Sequence, residues 1–127
     1  MTLQEAIGFV DRGIARAQAL GLKLSFVVVD EFGQLVQLDR MDGASLMSPD
    51  VAEAKALTAL NFRRPTSEVA QMDRQTIETL AKVVHFQIVP LAGGVPIFDG
   101  GELKGAIGVS GASAAQDEQV ANHALGK

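Results

Sequence analysis

The sequence predicts a mixed α/β (α+β) domain, with an antiparallel sheet of about five strands and helices packed on it. Three observations predict this. Runs rich in β-branched residues are joined by short turns, "EFG" and "DGG", where a parallel sheet would need long crossovers. Three segments carry helical periodicity or helix-start signals. The 127 residues, 47% hydrophobic and 20% charged, suit one folded unit over 1–127 with a sizeable core.

The chain opens on a capping box, Thr2 with Glu5. Leu3, Ile7, Val10, Ile14 and Ala17 then recur at helical spacing, and the helix ends near Gly21. "KLSFVVVD" reads as a strand, "EFG" as a turn and "QLVQLDR" as the hairpin partner. "MDGASLMSPD" is a loop. Ser48, Pro49 and Asp50 read as N-cap, first helical residue and dipole-favouring acid. The helix from Pro49 to Asn61 carries a thin stripe of Ala52, Ala56 and Ala59, which permits close packing.

Pro65 breaks that helix, and a short helical piece is expected near Asp73 to Ala81. Val84, Phe86 and Ile88 read as one face of a strand, with His85 on the other. Gly93-Gly94 interrupts the pattern. "VPIF-DGG-ELKGAIGV" is a second hairpin turning at Asp99-Gly100. Ser113 and Gln116 form the capping box of a last helix.

Composition excludes several functions. There is no cysteine, hence no disulfide, thiolate metal site or cysteine nucleophile. The net charge is −4 with scattered cations, which argues against nucleic acid as partner. The N-terminus lacks a basic segment followed by a long apolar run, and no apolar run approaches the ~20 residues that cross a bilayer. No membrane partner is expected, and the expected location is cytoplasmic.

"GAIGVSGASAAQDEQVA", Gly105 to Ala121, joins strand to helix through small residues. Its spacing is neither a dinucleotide fingerprint nor a P-loop. Gly108-Val109-Ser110-Gly111 is one residue short of a nucleophile elbow. Gly105 and Gly108 lie on opposite strand faces, each open to close approach from one side. Ser113 and Gln116 occupy the helix-end donors themselves, and Asp117 and Glu118 disfavour an anion there.

Together with the leading helix, "VVDEFGQLVQLDRMDGASLMSPDVAEAKALTA" and "GGVPIFDGGELKGAIGVSGASAAQDEQVA" resemble the GlcG/HbpS-like family, a haem-degrading or haem-binding domain family. The resemblance covers nearly the whole chain. It implies a profilin-like fold, a small-molecule ligand with haem the named cofactor candidate, and homo-oligomers. Family members also occur fused to corrinoid-related enzymes or encoded beside catabolic genes.

Arg40, Asp42 and Lys55 are the charged residues inside the matching segments. Lys55 shares a helical face with Ala52 and Ala59, so it is expected against a packed surface. Two readings of it stand side by side. It pairs with Asp42 or Asp117 to lock loop to helix, or it joins Arg40 in holding a carboxylate or a haem propionate. The ligand-binding set is Arg40, Asp42, Ser48, Lys55, Ser110, Gly111, Gln116 and Asp117. Gly111 leaves room there for a ligand or for the Arg40–Asp42 loop. A catalytic alternative has Arg40 hold a small carboxylate substrate while Lys55 or Asp117 moves a proton. A third reading is a structural partner of a catabolic enzyme. His85 reads as a core or edge residue, with haem-iron ligation as its functional alternative, and His123 as structural. Met41 and Met47 read as packing, or as soft axial ligands. No spacing of ligands predicts a dedicated metal site.

Overall fold

A computed structural model describes residues 1–127. Thr2 starts helix α1 (Leu3–Ala19). Its hydroxyl accepts the Glu5 N–H, and the Glu5 carboxylate accepts the Thr2 N–H. That backbone hydrogen bond holds the Glu5 carboxyl below its ordinary range. Strand β1 (Ser25–Asp30) turns into β2 (Leu35–Arg40), with the Asp30 carboxylate accepting the Phe32 and Gln34 N–H groups. Helices α2 (Ser48–Phe62), α3 (Thr66–Val69) and α4 (Arg74–Ala81, capped by Asp73) follow. Strands β3 (Gly94–Asp99) and β4 (Glu102–Ser110) make the second hairpin, and α5 (Ala114–Ala124) starts on the Ser113–Gln116 box.

The sheet has the order β2-β1-β4-β3, antiparallel throughout. Strand alternation divides the core. Phe26, Val28, Val95, Ile107 and Val109 face α1 and α5. Val27, Val29 and Ala106 face the Ala52, Ala56 and Ala59 stripe of α2. Arg12 of α1 ties the two outer helices together by donating from Nε to the Ala124 carbonyl at 2.9 Å, at the negative end of α5. No helix is long and apolar enough to cross a membrane.

Helix α2 lies on the sheet at backbone contact. Gly94 and Gly108 are partners across the β3–β4 ladder. A Cβ on Gly108 would overlap the Ala52 carbonyl oxygen, and one on Gly94 would overlap the Lys55 carbonyl oxygen. The expected close approach at Gly108 is thus made by a helix. At Gly105 a Cβ would overlap the Val29 carbonyl of the neighbouring strand.

Three expectations need correction. The sheet has four strands, where about five were expected. Val83–Val89 forms no ladder, and the cause lies at the outer edge of β3. The Val109 N–H donates to the Gly93 carbonyl, so by alternation Gly94 and Pro96 turn their nitrogens away from β4. The Gly94 N–H is taken by Thr66 Oγ1 at 2.9 Å, and Pro96 has no N–H. That edge is closed to another strand. The segment is tied to α2 instead, its Val89 N–H donating to Thr58 Oγ1 at 3.0 Å.

The second correction concerns α1, whose buried residues are Ala6, Val10, Gly13 and Ala17, while Leu3 and Ile7 are exposed. The helix packs by its small side, because Gly13 lies against the Phe26 ring, where a Cβ would come within 2.5 Å of Cε1. The third concerns Ser48, which is no cap. Met47 holds the N-cap position without a side-chain bond. The preceding turn brings the Ser45 carbonyl to 2.7 Å from Ser48 Oγ, so the hydroxyl folds backward and donates there.

Gly108→Ala should lose roughly 3 kcal/mol in urea unfolding, because the obstacle is helix backbone and cannot turn aside. Gly8→Ala should stabilise by about 0.5–1 kcal/mol, since its Cβ would meet only Arg12 Nη1, at 3.6 Å, in a helix interior. Equal midpoints for the two variants would contradict the backbone contact.

Candidate functional site

Lys55 leaves α2 on the side that touches the sheet. Gly93 clears its path: a Cβ there would sit 2.7 Å from Lys55 Nζ and 2.5 Å from the Val109 oxygen. The ammonium donates to the Val109 carbonyl and to Asp117 Oδ2, each at 3.0 Å. Both residues are 2% exposed. The second Asp117 oxygen accepts the Ala112 N–H at 3.0 Å. One carboxylate therefore joins α2, the end of β4 and the first turn of α5. Such a pair is stable only because both charges are matched and hydrogen-bonded.

A second buried contact lies at the same end of the sheet. Ser48 Oγ donates to Ser45, so Ser25 Oγ is the donor in the 2.8 Å bond between Ser25 and Ser48. In the ladders Ser25 stands between Arg40 of β2 and Ser110 of β4. This places Arg40 at the rim of a polar frame made by Ser48, Lys55, Ser110 and Asp117.

Outside the frame is an open cleft of about 490 Å³, lined by Ile14, Leu22, Lys23, Arg40, Met41 and Asp42 among others. Lys23 runs over Gly43, where a Cβ would lie 2.7 Å from Lys23 Cδ. Neither Lys23 nor Arg40 is in an ion pair. Arg40 makes one long hydrogen bond, Nη1 to the Ala44 carbonyl at 3.4 Å. The Met41 sulfur accepts the Leu24 N–H at 3.5 Å.

The eight residues expected in one site therefore separate. Arg40 and Asp42 line the cleft. Ser48, Lys55, Ser110 and Asp117 are buried behind it. Gln116 is occupied as cap, its Oε1 accepting the Ser113 N–H and hydroxyl. The room expected at Gly111 is filled by the chain itself: a Cβ there would lie 2.8 Å from the Lys23 carbonyl oxygen. Its φ of +134° also suits glycine alone. Lys23 escaped the sequence reading because nothing local marks a surface lysine as a cleft residue.

At the far end of the sheet a second cleft, of about 590 Å³, opens between the β1–β2 turn and α2. Phe32, Phe86, Leu57, Leu60, Arg63 and His85 line it with others. Arg63 ends α2 at φ 57°, ψ 34° and is the one non-glycine residue with positive φ. This left-handed conformation costs a residue with a Cβ roughly 1–2 kcal/mol. His123 lies apart, exposed near the end of α5.

Comparison with known proteins adds to this geometry. A family model described as haem-degrading protein HbpS-like matches residues 1–126. Protein GlcG of Escherichia coli (strain K12) is 35% identical over 110 residues, covering 87% of this chain and 81% of that protein. The crystal structure of a double mutant of Streptomyces reticuli HbpS matches with a TM-score of 0.91 at 35% identity, covering 99% of this chain and 85% of that one. A crystal structure of a PduOC:haem complex matches with a TM-score of 0.91 at 26% identity, covering 99% and 93%.

Lys55→Met leaves Asp117 as a buried, unpaired charge and should lose about 3–5 kcal/mol in urea unfolding. Lys55→Met with Asp117→Asn removes both charges and keeps an acceptor for the Ala112 N–H, so it should recover much of that loss. A double variant no more stable than Lys55→Met would show that the charges are not what couples the two positions.

Proposed function

Because this chain belongs to the HbpS-like haem-degrading protein family, we propose that it is a small-ligand-binding protein whose ligands carry carboxylates, haem being the leading candidate. The observation that carries the carboxylate reading is the pair of cations outside any ion pair, Lys23 and Arg40, beside the apolar Ile14, Leu22 and Met41 in one open cleft. A guanidinium offers paired donors to a carboxylate, and the ammonium adds a point charge. The buried set Ser48, Lys55, Ser110 and Asp117 fixes the strand ends from which these cations project. The catalytic alternative, with Lys55 or Asp117 moving a proton, draws no support from this geometry, since each is enclosed and spent on the other.

The same cleft can be tested against haem. Lys23 and Arg40 suit its propionates, and the apolar residues suit the ring edge. No imidazole lines it. The Met41 sulfur faces the Leu24 N–H. The cleft fits carboxylates and does not fit the iron. Calorimetric titration with a panel of short mono- and dicarboxylates should show saturable binding. Lys23→Ala with Arg40→Ala should weaken it about 10-fold or more, the worth of lost charge-assisted hydrogen bonds. Failure of every member of the panel to saturate would overturn the assignment of this cleft. Haemin should bind at one per chain with a saturable Soret change.

We also propose that the protein self-associates. Leu46 is 90% exposed and Met47 70%, and Leu38 of the edge strand is exposed as well. Light scattering at micromolar concentration should give a multiple of 13.4 kDa. A mass equal to one chain would end this proposal.

A further inference from the structure

The Lys23–Arg40 cleft has no ligand to offer the haem iron, so haem needs another site. We infer that haem is held at the opposite end of the sheet, in the cleft between Phe32 and Phe86, with His85 as the axial ligand to its iron and Arg63 at a propionate. This rests on reading the chain as a haem-binding protein.

The two clefts are well separated. Arg40 sits beside Ser25, at one end of β1, while the second cleft begins just past Asp30, at the other. Six residues of strand span roughly 17–20 Å, so no single porphyrin touches both sets of side chains.

Three observations converge on the second cleft. First, His85 is the histidine that lines a cleft. It is exposed on a segment outside the sheet, yet tethered to α2, because the Val89 N–H donates to Thr58 Oγ1 at 3.0 Å. No ion pair engages its imidazole, which leaves a nitrogen free for a metal. Second, Phe32 is 80% exposed at the tip of the β1–β2 turn, with Phe86 lining the same cleft. Two phenyl rings with Leu57 and Leu60 behind them offer apolar walls to a flat ring. Third, Arg63 enters the cleft in a strained backbone conformation and has no carboxylate partner. The left-handed conformation ends α2 there and leaves a guanidinium outside any ion pair at the cleft.

The test uses haemin and metal-free protoporphyrin IX as probes. The proteins are the unmodified chain, His85→Gly, Arg63→Gly and Arg40→Ala. Glycine accepts the conformation of Arg63, so Arg63→Gly keeps the fold while removing the cation. Haemin should bind the unmodified chain at one per chain. His85→Gly should weaken haemin about 10-fold or more and shift the Soret band, and added imidazole should restore its position. The same variant should bind metal-free protoporphyrin as before. Arg63→Gly should weaken both probes, and Arg40→Ala neither. No saturable haemin binding by the unmodified chain would defeat the haem reading itself. Normal haemin binding with an unchanged Soret band in His85→Gly and undiminished binding in Arg63→Gly would overturn this site while leaving that reading in place. Equal loss of both probes in His85→Gly, without rescue by imidazole, would overturn the axial assignment.

Discussion

The contact of helix α2 with the Gly94–Gly108 pair is the constraint on which the rest of the structure depends. Side chains normally stand between a helix and the sheet it packs on. Here two facing residues have none, so the carbonyls of Ala52 and Lys55 reach the strands. The alanine stripe of α2 follows from that distance, because a longer side chain would lift the helix off. Ala106 on β4 completes the same thin layer. The opposite face has no such constraint and fills with Phe26, Ile107 and valines against α1 and α5.

Close approach also explains how a lysine comes to be buried. From a helix at ordinary distance its side chain would end among the strand side chains. From α2 it crosses above Gly93 and reaches the far side of β4, where Asp117 meets it. The ion pair joins three elements that share no ladder. Asp117 also holds the turn through Ala112, and Gly111 of that turn rests on the Lys23–Leu24 backbone. The cleft cation Lys23 is thus connected to the buried pair through three short steps of packed backbone.

What was legible in the sequence was what local chemistry decides. Both capping boxes, both hairpins and the break at Pro65 depend on residues within a few positions of each other. The position of Lys55 on the alanine face was legible for the same reason, and with it a structural ion pair to Asp42 or Asp117, of which the fold makes the second. The strand expected around His85 failed because β-branched character says nothing about whether a partner edge is free. Ser48 failed because a preceding turn offered its hydroxyl a nearer carbonyl. Gly93-Gly94 stood out in the sequence as an interruption, yet its role needs the β3–β4 register. Lys23 and Arg63 carry no local signal at all. Their place in the two clefts comes from which end of the sheet each one reaches, and that is set by the whole topology.

Thr66 and Pro96 leave the sheet with unlike margins. On the β3 side the outward N–H groups at Gly94 and Pro96 are bonded or missing, while β2 presents its row of N–H and C=O groups to whatever lies beyond. A sheet that can be extended from both sides can grow without limit, each copy adding to the last. One with a single receptive margin can be extended only once by its own kind, two copies meeting margin to margin about a twofold axis. After that meeting nothing receptive is left. Thr66 and Pro96 thus leave this sheet one margin for such a meeting and deny it the geometry of a fibre.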